Sequence, residues 1–147
     1  TLSCWQTLSP TTQLKLTMSN ENHLLATEIS VAVVSQYITQ QSVDGEQQFV
    51  FSYTITISNN SINTVQLLNR YWLITDANGD TSEVSGEGVI GQQPFIKASE
   101  SFTYTSGCLL KSPLGYMQGH YQMQVNSEQL VDIDIPVFRL AKPNILN

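Results

Sequence analysis

Phe49-Val50-Phe51-Ser52-Tyr53-Thr54-Ile55-Thr56-Ile57-Ser58 sets large apolar side chains at every second position. Phe49, Phe51, Tyr53, Ile55 and Ile57 share one face, while Ser52, Thr54, Thr56 and Ser58 occupy the other. A period of two is the repeat of a strand with one face on a core and one in water. The stretch therefore reads as an antiparallel strand with its aromatic face inward, and Asn59-Asn60-Ser61 ends it.

The same rhythm extends in both directions. Upstream, Ile29, Val31 and Val33 alternate with Ser30 and Ala32 as far as Tyr37. Downstream, Val65 to Asp76 forms a third strand, and Asn78-Gly79 supplies positive φ angles for a tight hairpin into Thr81 to Val84. A glycine-rich crossing between sheets follows, then strands at Ser101 to Ser106 and Tyr116 to Val125. The seventh is marked by alternating Val131, Ile133, Ile135 and Val137. No segment shows a convincing helical period. Seven short strands separated by turn signals predict an all-β, immunoglobulin-like, two-sheet sandwich. Trp72 on the third strand and Tyr121 and Met123 on the sixth are the expected core. Gly119-His120-Tyr121-Gln122-Met123 imitates the Gly-x-Tyr-x-Cys of such domains, with methionine where an inter-sheet disulfide would need cysteine.

Residues 1–27 show neither period and read as an irregular N-terminal tail, with the domain over 28–143 and a short C-terminal tail over 144–147. Met18 is a candidate initiator. The chain carries a net charge of −6, and its six basic residues are scattered singly, which argues against nucleic acid as a ligand. No apolar run approaches the ~20 residues of a membrane helix, and the start lacks the pattern of a secretory signal. Cys4 and Cys108 are expected to be reduced thiols. A cytoplasmic protein without cofactor is the expectation.

Three motifs invite a chemical reading. Gly86, Gly88 and Gly91 spell G-x-G-x-x-G, yet Pro94 follows too soon for a standard helix and Glu87 would set a carboxylate among phosphates. Asp76, Asn78 and Asp80 have the glycine of a calcium loop at the wrong position, so turn chemistry explains them. His23 and His120 lack zinc-site spacing, and Cys108 with His120 is the one pairing that nucleophilic catalysis could use.

Phe51 to Ile57, Arg70 to Gly79, Gly86 to Pro94, Tyr104 to Cys108, Gly119 to Met123 and Pro136 to Ala141 together resemble the ApaG family. The resemblance runs in order from about Ile29 to Pro143 and departs at Tyr71, where the family pattern has histidine. It implies a fibronectin type III-like sandwich found alone in bacteria, related to domains of F-box proteins and of a protein that interacts with a DNA polymerase. It also implies a loose link to cobalt and magnesium resistance, as an accessory factor. Threonine can stand at the place of Cys108, which disfavours a catalytic thiol.

These readings combine into an expected non-catalytic module for protein–protein interaction. Its surface would comprise Gly86, Glu87, Gly88, Val89, Ile90 and Gly91 together with Tyr104, Thr105, Ser106, Gly107 and Cys108, presented to a protein partner. The alternative is a sensor of a phosphorylated metabolite or divalent cation at the glycine-rich loop. Homodimerisation through an exposed sheet edge is compatible with the pattern.

Overall fold

A computed structural model describes residues 25–144. Met18, His23, Cys4 and most of the N-terminal tail lie outside the described residues. A single helical turn at 25–27 leads into eight strands: β1 (Ile29–Val43), β2 (Glu46–Asn59), β3 (Val65–Asp76), β4 (Thr81–Glu87), β5 (Phe95–Ile96), β6 (Ser101–Leu110), β7 (Leu114–Val125) and β8 (Gln129–Ala141). All pairings are antiparallel. One sheet has the order β1-β2-β6; the other has β4-β3-β7-β8, with β5 pairing the start of β3. Three strands facing four make the immunoglobulin-like, fibronectin type III-like sandwich. The seven expected strands are present, and β5, only two residues long, is added.

The alternation read in β2 is its burial pattern. Phe51, Ile55 and Ile57 are at most 1% exposed, and the intervening residues are half-buried on the outer face. There Thr54 meets Thr105, Thr56 meets Thr103 and Ser58 meets Ser101 through hydroxyl contacts of 2.8, 3.2 and 3.0 Å. β1, β2 and β6 together contain one charged side chain, Glu46. Small hydroxyls paired across strands take the place of charges on this face, with Val34 and Leu109 exposed beside them.

Between the sheets, Trp72 packs edge-on against Tyr53, Phe138 and Tyr121 at centroid distances of 5.4, 5.9 and 6.4 Å. Tyr121 and Met123 are fully buried. One structural thiol is described, Cys108, and it is free and buried.

Three strands depart from strict alternation through β-bulges, where one extra residue exchanges the faces of everything beyond it. In β8 the pairing steps from Met117↔Phe138 to Gly119↔Ile135. Pro136 and Val137 thus stand opposite Gln118 alone, and Val137, expected inward, is 59% exposed while Phe138 and Leu140 turn to the core. Proline suits this place because it has no N–H to give to a ladder. In β1 the extra residue is Ile38. In β3 it is Leu68, with consequences for the site below.

The β3–β4 hairpin also differs from expectation. Only Gly79 has positive φ, at 85°, and a three-residue loop is closed by Asp76 and Asp80. The Asp76 carboxylate accepts the amides of Asn78 and Asp80 at 2.8 and 3.0 Å, which is turn chemistry.

The two long margins of the sandwich are unlike. On one, β1 lies against β8, joined by the Ser35 hydroxyl donating to the Arg139 carbonyl at 3.0 Å and Lys142 Nζ donating to Gln40 at 3.0 Å. On the other, edge strands β4 and β6 stand apart, and two clefts open between them.

Candidate functional site

The larger seam cleft, of about 340 Å³, is lined from one sheet by Tyr53, Tyr104 and Ser106 and from the other by Arg70, Trp72 and Glu87, with Val89, Ile90 and Gly91 at its rim. The bulge at Leu68 builds it. Leu67 pairs with Met123 on the buried face, and without the extra residue Arg70 would face solvent. With it, Arg70 pairs with Tyr121 and points between the sheets, while Tyr71 takes the outer face and stacks on His120 at 5.2 Å. The displaced Leu68 carbonyl receives the Gly88 amide at 2.7 Å and the Gln93 side-chain amide at 3.0 Å, pinning the glycine-rich loop to β3.

Arg70 Nη1 donates to the carbonyls of Glu87 and Gly88 at 3.0 and 2.9 Å. Gly86 makes room for it, since a Cβ there would lie 3.1 Å from Nη1. Gly88, at φ 64°, could not carry a Cβ without meeting the Gln92 carbonyl oxygen at 2.2 Å. The crossing between sheets expected from sequence is not made: β4 and β5 both pair with β3, so the loop runs along one sheet edge.

Val89 and Gln92 exchange two backbone hydrogen bonds, of 2.8 and 2.9 Å, around Ile90-Gly91. Both central residues have positive φ, 44° and 75°, the geometry of a type I′ turn. Asparagine or glycine normally occupies the first position. A β-branched side chain there is strained, and Ile90 is 54% exposed at the tip. Val89, expected on the working surface, is instead 1% exposed and belongs to the core, where it anchors the turn. The amides of Gly88, Val89 and Gln92 are all donated to carbonyls of this chain, so these three are not open to a phosphate.

The residues singled out on β6 divide by face. Tyr104 and Ser106 line the cleft, and Cys108 is buried further along; Thr105 and Gly107 lie on the outer hydroxyl-covered face. The Tyr104 and Tyr121 hydroxyls meet at 2.5 Å behind the cleft. Burial pushes Tyr104 up to about 12 and raises Tyr121 as well, and it raises Tyr53 against the opposing hydrogen bond from Ser106. These phenols remain neutral donors at physiological pH. Burial pushes Cys108 to about 11, so its thiol is poorly ionised. His120 stands on the outer face of the other sheet, stacked on Tyr71. The pairing of Cys108 with His120 is therefore not assembled. Among the described residues, no three His, Cys, Asp or Glu side chains are placed to hold a metal, and no helix is long and apolar enough to cross a membrane.

Arg70 and Tyr53 are the site residues that sequence reasoning missed. Tyr53 was visible only as core, and Arg70 only as one of six scattered bases.

Comparison with known proteins agrees with this architecture. The family model described as the ApaG domain matches residues 39–125. Protein ApaG of Proteus mirabilis is 51% identical over 122 residues, covering 83% of this chain and 98% of that protein. Protein ApaG of Photobacterium profundum is 51% identical over 119 residues, 81% and 94% of the two chains. A crystal structure solved as a structural-genomics target superposes with TM-score 0.81 at 45% identity, covering 83% of this chain and 92% of the other. A Bordetella pertussis protein designated ApaA superposes with TM-score 0.73 at 40% identity, covering 79% and 94%.

Proposed function

As the chain belongs to the ApaG family, we propose that it is a non-catalytic binding module whose working surface is the open seam between β4 and β6, and that its partner is a protein. The observation that carries this reading is Ile90, a β-branched residue held at φ 44° and 54% exposed on a turn that glycine or asparagine would make without strain. Strain kept at an exposed apolar tip is retained where it serves contact. The sequence groups expected to cooperate, the glycine-rich loop and the segment around Tyr104, form opposite lips of one cleft. The family association with cobalt and magnesium resistance fits an accessory part played through such contacts.

A photo-cross-linker at position 90 identifies the partner in cells, and reconstitution with the purified partner then measures the contact. Ile90→Asp is expected to weaken binding at least about tenfold, a cost of about 1.4 kcal/mol. Because Val89 is core, Val89→Asp would report unfolding and cannot serve as the probe. An affinity unchanged by Ile90→Asp removes this surface from consideration.

A further inference from the structure

Arg70 brings a positive charge into the gap between the sheets, beside Tyr53, Trp72 and Tyr104. Arg70 is half-buried, and even partial withdrawal of a guanidinium from bulk water carries a cost that hydrogen bonds and an opposite charge offset. Nη1 has two carbonyl partners. Nη2 and Nε have none among the described residues, and no described carboxylate reaches ion-pairing distance, although the chain holds twelve acids to six bases. Carbonyl dipoles orient a guanidinium without supplying its counter-charge. A planar guanidinium fork is the group best matched to a carboxylate or phosphate.

The surroundings favour the same chemistry. Ser106 and the Tyr53 phenol adjoin the arginine, and burial keeps that phenol protonated and able to donate. At about 340 Å³ the cleft lies at the small end of ligand pockets, suited to a compact molecule and too small for a dinucleotide. Glu87 stands at its edge as the one carboxylate that an incoming anion must pass.

We propose that this cleft is a binding site for the oxyanion group, carboxylate or phosphate, of a small metabolite, with Arg70 as the counter-ion. The proposal builds on the reading of the β4/β6 seam as the working surface. It differs from a glycine-loop cradle in that a side-chain guanidinium, not the loop amides, holds the anion.

The test is a titration of the full chain with inorganic phosphate and, separately, with succinate, followed by NMR of the Arg70 Nε–H and the amides of Gly86 to Ile90. Sodium chloride at matched ionic strength is the control. Saturable shifts with a millimolar Kd are expected for at least one anion, and the tighter of the two names the source chemistry. Glu87→Gln, an exposed change that leaves the fold intact, should tighten binding about two- to fivefold by removing a like charge. Arg70→Lys should weaken it about tenfold, because a point charge replaces the fork.

Shifts that rise linearly to tens of millimolar and are matched by chloride overturn the site. Saturable binding indifferent to Glu87→Gln does so as well, even if Arg70→Lys does not fold. A partner contact that depends on Ile90, without oxyanion binding, defeats this proposal alone and leaves the interaction module standing.

Discussion

The Tyr104 hydroxyl on β6 and the Tyr121 hydroxyl on β7 meet at 2.5 Å, joining the two sheets through the middle of an otherwise apolar core. Each is buried, so each depends on the other for its hydrogen bond. Tyr104→Phe or Tyr121→Phe alone should cost about 1–3 kcal/mol, because one hydroxyl is left unsatisfied. The double variant should cost clearly less than the sum, since no orphan remains. Urea unfolding of the four proteins measures the coupling, and strictly additive losses would contradict it.

Stability should fall at alkaline pH. Tyr104 is pushed from 10.0 to about 12 and Cys108 from 9.0 to about 11 by burial, and Tyr121 is raised in the same direction. Above about pH 9 the unfolded chain loses protons that the native chain keeps, so the unfolding free energy declines with pH. The contribution is fully present below pH 9 and disappears as the pH passes through 11 to 12. Urea midpoints between pH 8 and about 11 should decline progressively, and a flat profile across that range would refute the assignment.

Gly119 should tolerate no side chain. A Cβ there would lie 1.9 Å from the Tyr71 carbonyl oxygen and 3.1 Å from the Trp72 Cα, both backbone atoms that cannot swing aside. Gly119→Ala is expected to destabilise by more than about 3 kcal/mol or to prevent folding. Gly107→Ala, whose Cβ would meet nothing nearer than the Phe51 carbonyl at 3.4 Å, should change stability by less than about 1 kcal/mol. Thermal melts of the pair decide the matter.

Ile90→Asn should stabilise the protein by about 0.5–1 kcal/mol, because asparagine accepts the left-handed conformation that isoleucine resists. Little packing is lost, as Ile90 is largely exposed. The same variant should bind the protein partner less tightly. A gain in melting temperature without any change in partner affinity would separate the strain from the contact.

The strands were legible because a half-buried sheet writes its period directly into the chain, most plainly from Phe49 to Ser58. The burial of Tyr121 and Met123 follows from that period along β7, and that of Trp72 from the place on the third strand where such domains carry a core tryptophan. A bulge leaves no such trace, since an inserted residue looks like any other. Past Leu68 and Pro136 the expected faces are therefore exchanged, which hid the inward Arg70 and mistook Val137 for core. β5 is too short to show a period. The turn at Ile90-Gly91 lacks the asparagine or aspartate that announces a type I′ hairpin. Val89 consequently read as loop surface, whereas it is the residue by which that turn is rooted.

The near absence of charge from β1, β2 and β6 has a consequence for how the molecule meets its surroundings. Ionised side chains on strands gather on the opposite sheet, among them Glu83, Glu87, Asp132 and Asp134, so the electric field of the protein is lopsided. A cationic resin or lipid surface would be approached with that sheet leading, while the hydroxyl-covered side, held off its neighbours by hydration alone, is the one that crowding or high salt would bring together first.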